Sequence, residues 1–405
     1  MKKTLLATVP VLLALAACTA PLALLLDSMG DFHATVDLAD LDGDGDLDAV
    51  VHNVRNEAEF TAFSVTSLWF NDGAGNFTAH RIDSLPDGPG WAARAGDIDQ
   101  DGAVDLVTFT GRTLRLALNQ GSAQAGPAPD FSAGPVIHAP RSDDQFGTLL
   151  LADLNDDSRL DGMLLGCCGR TFTLDPNEDT PTYAWVWLNE TARAAAAATG
   201  MALPALDGLA LRDGALADLD GDGDLDLFVA VSAPPVGRNR NPADRVLLNE
   251  GAGTFVDSGQ RLGNGDSTAV ALGDIDGDGD TDALVGAGDQ ALLWINQGGD
   301  QGGAAGSFAS SPQRIPGNKI RALLLADMDG DAALDAIVGS AQDAAIWIND
   351  GSGAFSASTP TFAYSVRHAL AVGDLNGDGA LDLFAAAYDD DARVRINRGA
   401  LDSAP

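Results

Sequence analysis

An acidic nonapeptide, Asp-Leu-Asp-Gly-Asp-Gly-Asp-Leu-Asp at Asp40–Asp48, has six relatives along the 405-residue chain, beginning at Asp97, Asp153, Asp218, Asp274, Asp327 and Asp374. The starts lie 57, 56, 65, 56, 53 and 47 residues apart. A long internal period restricts the fold to an array of one supersecondary unit whose copies bury each other's apolar faces. Each acidic string follows a short apolar run ending in Ala-Asp or Gly-Asp and precedes another, such as Leu225–Val231 or Leu381–Ala387. A third apolar segment ends in Asn in every unit, at Asn71, Asn119, Asn189, Asn249, Asn296, Asn349 and Asn397. Several units continue with a Gly-rich turn and a Phe, as in Gly75-Asn76-Phe77 and Gly353-Ala354-Phe355, and then a less regular extended stretch. Short apolar runs between turn signals read as strands. Four strands per unit at this period predict propeller blades, and seven units predict an all-β, seven-bladed β-propeller over residues 31–405. A nonapeptide calcium β-helix would repeat far more often. The recurring Asn reads as a turn former after the third strand.

The acidic strings carry the clearest chemistry. Positions 1, 3, 5 and 9 hold Asp or Asn in all seven copies. The candidate metal ligands are Asp40, Asp42, Asp44 and Asp48; Asp97, Asp99, Asp101 and Asp105; Asp153, Asn155, Asp157 and Asp161; Asp218, Asp220, Asp222 and Asp226. The last three units supply Asp274, Asp276, Asp278 and Asp282; Asp327, Asp329, Asp331 and Asp335; Asp374, Asn376, Asp378 and Asp382. Position 7 varies freely, from Asp46 to Ala103 to Arg159, as expected if only its backbone carbonyl is used. Position 6 is Gly in five copies, suiting a sharp turn. Several hard oxygen ligands on one flexible loop favour Ca2+ over Mg2+, which prefers to keep its waters, so up to seven Ca2+ are expected. An EF-hand requires Glu at position 12, where these copies have Val51, Thr108, Leu164, Val229, Val285, Val338 and Ala385. The third copy, with Asn155, Ser158 and Arg159, and the sixth, with Ala332 in place of Gly, are expected to bind most weakly.

The repeated core with its alternating Asp and Gly resembles the FG-GAP/VCBS repeat family, whose members include the calcium-binding propeller of integrin α-subunits. The resemblance spans about residues 22–399. It implies a calcium loop in each blade between first and second strands. Some propellers of this family are polysaccharide lyases, so a polysaccharide-acting enzyme is one alternative. No GxSxG, HExxH or phosphate-loop motif is present.

Residues 1–17 read as a signal peptide: Lys2 and Lys3 precede an apolar run from Leu5 to Ala17 that is too short for an ordinary transmembrane helix. Leu15-Ala16-Ala17-Cys18 looks like the lipobox of bacterial lipoproteins, which implies cleavage before Cys18 and its lipidation. A plain secretory signal cut after Ala17 or Ala20 is the alternative. Thr19 in place of Asp favours the outer membrane in the lipoprotein reading, with the protein facing the periplasm or the surface. Residues 18–30 are the lipidated N-terminus. Within them, Leu22–Leu26 either supplies the fourth strand of the last blade or is linker.

Against 59 Asp+Glu stand 23 Lys+Arg, a formal net charge of −36, which leaves no basic surplus for nucleic acid. Three Cys exclude a disulfide scaffold and a Cys-based zinc array. Cys167 and Cys168 are either reduced thiols or a strained vicinal pair. From first Asp to terminal Asn the units span 22–23 residues in four copies but 31, 36 and 31 in units 1, 3 and 4. The surplus falls in about 52–66, 167–183 and 232–245, on the face opposite the acidic loops, and such loops are common binding sites. Thr191–Thr199, rich in Ala, reads as a short helix. Six residues before each first Asp, where the inner strand meets the channel mouth, stand Ala34, Trp91, Gly147, Arg212, Thr268, Arg321 and His368. With Arg367 alongside, Trp91, Arg212, Arg321 and His368 form a candidate site for an anionic glycan or acidic protein side chain. The alternative is that these bases neutralise nearby acids. The combined expectation is a calcium-stabilised, envelope-anchored binding or adhesion scaffold for a glycan or protein. A structural subunit of an envelope complex is a further alternative.

Overall fold

The structure, a computed structural model, describes residues 35–398 apart from 58–60, 82–89, 111–112, 122–128, 139–144, 168–183, 191–199, 208, 233–241, 299–300, 341–342, 359–368 and 387–391. Seven antiparallel sheets follow one another along the chain, six with four strands and the last with three. Blade 1 runs through Thr35–Ala39, Asp48–Glu57, Thr61–Asn71 and Phe77–Arg81 in that spatial order, and each later blade repeats the meander. The first strands are Thr35–Ala39, Gly90–Gly96, Gln145–Ala152, Ala210–Ala217, Ser267–Gly273, Ile320–Ala326 and Ala369–Gly373. Each meets the first strand of the next blade, and the seventh meets the first, so they form the closed inner wall of a seven-bladed propeller. The described residues contain no α-helix, only the 3-10 turn Pro204–Leu206, and so none long and apolar enough to cross a membrane.

The core lies between blades, because a sheet with two apolar faces must be covered on both. The second strand of blade 4, Asp226–Ser232, is buried at every residue. That explains why second strands read as unbroken apolar runs rather than as alternating ones. Each apolar cluster straddles one pair of adjacent blades. Phe109 and Leu114 of blade 2 pack with Leu149, Leu164 and Trp185 of blade 3. The seam of the ring is built in the same way: Val36 and Val51 of blade 1 meet Leu375 and Phe384 of blade 7. Each fully buried side chain of this size contributes about 1.5–3 kcal/mol. The Phe after the Gly-rich turn reaches the preceding blade, with Phe77 edge-on to Phe384 at 5.0 Å between centroids. Gly75 makes room for this approach: a Cβ there would stand 2.6 Å from Ile396 Cδ1 of blade 7.

Blade 7 shows three strands among the described residues, Ala369–Gly373, Asp382–Ala386 and Ala392–Arg395. The segment proposed to complete it, Leu22–Leu26, lies outside them, as do residues 1–17, Cys18, the expected helix at 191–199, and Cys168. The surplus at 52–66 is an extension of the hairpin of blade 1, paired out to Glu57 opposite Thr61.

Candidate metal centres

Each acidic string links the first to the second strand of its blade, so all seven loops lie on one face. All seven share one backbone shape. Position 4 is left-handed throughout, at Gly43, Gln100, Asp156, Gly221, Gly277, Gly330 and Gly377. Position 6 is left-handed too, at Gly45, Gly102, Ser158, Gly223, Gly279, Ala332 and Gly379. This curl turns backbone N–H groups onto the first carboxylate. In loop 1, Gly43 N–H donates to Asp40 Oδ1 at 2.8 Å and Gly45 N–H to Asp40 Oδ2 at 3.1 Å. The position 7 N–H donates to the position 5 carboxylate, as in Asp224 to Asp222 Oδ1 at 2.9 Å.

Five loops bring three carboxylate oxygens within 4.8 Å of one another. In four of them the triad uses positions 1, 3 and 9: Asp40, Asp42 and Asp48; Asp218, Asp220 and Asp226; Asp274, Asp276 and Asp282; Asp327, Asp329 and Asp335. Loop 2 gathers Asp97, Asp99 and Asp101 instead, leaving Asp105 out of the triad. The sixth loop keeps its triad, and Ala332 takes the left-handed conformation, with φ 76°, that Gly holds at this position in five other loops. The third and seventh loops, which carry Asn155 and Asn376 at position 3, form no such triad. In the third, Arg159 Nη2 lies 2.6 Å from Asp157 Oδ2, so the protein's own cation sits on that candidate ligand. In the seventh, Asn376 Nδ2 donates to Asp378 Oδ2 at 3.1 Å.

The ninth-position carboxylates do more than line the loop. All seven, from Asp48 to Asp382, are fully buried. In each, Oδ2 accepts the position 2 N–H and Oδ1 accepts the N–H of the recurring Asn; for Asp226 these are Leu219 at 2.8 Å and Asn249 at 2.7 Å. The Asn side chain then reaches across. Asn249 Nδ2 donates to Leu154 O of blade 3 at 3.0 Å. The same bond joins Asn119 to Leu41, Asn189 to Ile98, Asn296 to Leu219, Asn349 to Ile275 and Asn397 to Met328. Asn71 to Leu375 spans the seam at 2.8 Å. The Asn is thus a blade-to-blade clasp as well as a turn residue, where its Oδ1 accepts from groups such as Gly251 N–H. Its recurrence in all seven units was the available signal, since a turn alone would tolerate Asp, Gly or Ser.

The carboxylates are electrostatically uncomfortable without a cation. Burial, with a smaller push from neighbouring acids, raises Asp48, Asp105, Asp161, Asp226 and Asp335 to about 6 and Asp282 to about 7, against the pull of two backbone N–H bonds. Asp382 is raised in the same way. Position 3 is raised by burial and then by the adjacent acid in Asp42, Asp220, Asp276 and Asp329, which belong to the four loops with 1-3-9 triads. In loop 5, Asp276 Oδ1 and Asp278 Oδ2 are buried without a hydrogen-bond partner. Crowded hard oxygens with uncommitted lone pairs fit a divalent cation bound by oxygen.

The channel rim has its own regularity. In five inner strands the pairing register slips by one residue, and the residues skipped are Trp91, Gly147, Arg212, Thr268 and Arg321. These are β-bulges, which re-aim a side chain at the end of a strand. Arg212 and Arg321 therefore hold equivalent rim positions in blades 4 and 6. The side chain of Trp91, and both Arg367 and His368, lie outside the described residues. Below the rim, a belt that sequence reasoning missed ties inner strands together. Arg94 pairs with Asp37 at 3.1 Å and donates from Nε to Leu149 O at 2.9 Å. Asp213, raised to about 6 by burial, accepts from Val270 N–H at 3.1 Å and Thr148 Oγ1 at 3.3 Å.

Fold and loops together define a propeller of acidic-loop repeats. The FG-GAP-like repeat model matches residues 40–108, 218–285, 274–338 and 327–385, more than half the chain, and the chain belongs to that family. No curated protein sequence matches it. Among solved structures it is similar to a lectin of Agrocybe aegerita, described as specifically recognising non-reducing terminal N-acetylglucosamine. That match has 19% identity and TM-score 0.54, covering 88% of this chain and 86% of that one. It is also similar to BBS1N, solved in complex with ARL6DN, at 12% identity and TM-score 0.50 over 91% and 93% of the chains. A functionally unknown protein from Desulfotomaculum acetoxidans matches at 12% identity and TM-score 0.50 over 86% and 93%. At these identities the likeness is one of fold.

Proposed function

We propose that the protein is a calcium-stabilised binding scaffold, held to the cell envelope by a lipid on Cys18, that recognises a glycan or a protein. The observation that carries this reading is the set of five carboxylate triads placed directly above the buried Asp–Asn clasps between blades. Calcium would be held by the triads and the neighbouring position 5 carboxylates, and would supply the positive charge that these acids lack. The residues of this chain do the rest. Left-handed positions 4 and 6 preform each loop, the ninth Asp ties loop to third strand, and the recurring Asn ties both to the preceding blade. A stiff ring loses little conformational entropy when it binds, which suits a recognition surface. The Agrocybe lectin gives a glycan ligand a precedent on this fold, and a protein ligand is the alternative. Melting curves in calcium and in EDTA, with a glycan array probed under both conditions, test the reading. Coincident curves would remove the calcium part. An array and a calcium-dependent pull-down from envelope extract that both stay blank would remove the scaffold part.

A further inference from the structure

We propose that an open cleft on the outer half of blade 5 is a binding site for a single sugar residue of a glycan. This rests on the reading of the chain as a binding scaffold and assigns its ligand class and contact point. The cleft, of about 540 Å3, lies between the link from blade 4 at residues 263–266, the turn at Ala287 and Gly288, and the two outer strands Gln290–Asn296 and Phe308–Pro316. That volume falls within the range of small-molecule sites, about 300–1,000 Å3.

Three features build the site. The first is an aromatic wall. Gln290, Leu292 and Trp294 alternate along one strand and so face the cleft together. Trp294 is half-buried with its Nε1 in the buried part, so the indole surface left open is carbon. An electron-rich ring face attracts the polarised C–H groups of a pyranose. The second is a wide bulge between the outer strands. Leu292 pairs with Arg314 and Trp294 with Ser310, so one residue, Leu293, opposes three. Bulges re-aim side chains beside functional sites. Here Ser310 and Arg314 both line the cleft, and Arg314 Nη1 donates to Gln313 O at 2.7 Å, which fixes the guanidinium at the rim. The third is the link itself. Asp266 is held in the left-handed region with φ 75°, beside Gly265, where a Cβ would stand 2.3 Å from Pro242 Cγ. The opposite turn is fixed by the next blade, since Ile320 N–H donates to Gly288 O at 3.0 Å.

The chemistry selects the ligand. Asn264 and Gln290 each offer a donor and an acceptor, Asp266 accepts, and Arg314 donates, its Nη2 braced by Ser310 Oγ at 3.3 Å. That mixture matches hydroxyl groups, which also donate and accept. One Arg and one Asp give no surplus positive charge for a phosphate, and the open cleft with a single aromatic wall does not enclose a lipid tail.

The test is saturation-transfer difference NMR of the full chain in calcium with N-acetylglucosamine, galactose and glucuronate as probes, followed by titration of any that binds. At least one probe should bind, and Trp294→Ala should weaken it about tenfold or more. Asp266→Gly, which removes the carboxylate and keeps the left-handed backbone, and Gln290→Ala, both at exposed positions, should weaken it with little change in melting temperature and cover the case in which Trp294→Ala unfolds. Trp347→Ala, at the equivalent position of the next blade and outside the cleft, should leave binding intact. Binding that survives the Trp294, Asp266 and Gln290 substitutions overturns this site while leaving a glycan scaffold standing. Failure of all three probes to bind the wild type overturns the sugar assignment, and a calcium-dependent protein pull-down then decides whether the scaffold reading survives.

Discussion

Replacing Asn249 by Ala tests whether the blade-to-blade clasp stabilises the ring independently of metal. Asn249 is 1% exposed. Its Nδ2 donates to Leu154 O at 3.0 Å and to Leu225 O at 3.3 Å, and its Oδ1 accepts from Gly251 N–H at 3.2 Å. Each such bond contributes about 1 kcal/mol net, and a buried carbonyl left unpaired costs about 1–3 kcal/mol. Alanine also leaves a small void, but water entering from the loop face offsets part of the loss. The expected destabilisation is roughly 2–4 kcal/mol. It should appear as an earlier urea midpoint, followed by tryptophan fluorescence, in EDTA as fully as in calcium, because no metal ligand has been touched. Asp222→Ala, which removes an exposed position 5 carboxylate, provides the contrast: little change in EDTA and a loss in calcium. An Asn249→Ala midpoint within about 0.5 kcal/mol of wild type in EDTA, the size of an ordinary surface substitution, would refute the clasp.

Further outcomes follow from the same geometry. Ions bound only by the native state add stability by mass action, so calcium should raise the melting temperature by many degrees, read by calorimetry with and without EDTA. Asp218→Ala should cost more of that increment than Asp153→Ala, because loop 4 gathers a triad while loop 3 carries Arg159 on Asp157. In EDTA, melting temperature should fall as pH rises from about 4 to about 7: the ninth-position carboxylates are raised to about 6–7, so their protonated forms favour the folded state below the unfolded value, and that contribution is lost as pH passes the folded one. Saturating calcium should flatten or reverse this slope, since metal and protons compete for the same oxygens. Separately, the proposed lipid on Cys18 predicts that Cys18→Ala moves the protein from the membrane pellet to the soluble fraction; co-sedimentation that survives a carbonate wash would point to another contact.

Blade number, strand order and the acidic loops were all legible in the chain, because each follows from local chemistry repeated at a fixed period. Seven Asp strings between apolar runs specify seven hairpins whatever the blades pack against. The candidate ligand positions could be listed for the same reason: acidic residues recur at fixed offsets in one tight loop, and in five loops three of their carboxylates converge. The sequence determined less about how copies differ. Ala332 looked like a defect, yet the backbone there adopts φ 76° and the triad survives. The third and seventh loops lack a carboxylate at position 3, which Asn155 and Asn376 already showed; only side-chain placement shows that Arg159 and Asn376 also occupy a neighbouring carboxylate. The recurring Asn looked like a turn residue because its longest-range bond, to a carbonyl 304 positions away at the seam, leaves no local trace. The bulges at Arg212 and Arg321 and the cleft beside Trp294 were hidden for a related reason. A register slip, or a cleft between a link and the strands it passes, belongs to pairs of segments, and only tertiary packing brings those pairs together.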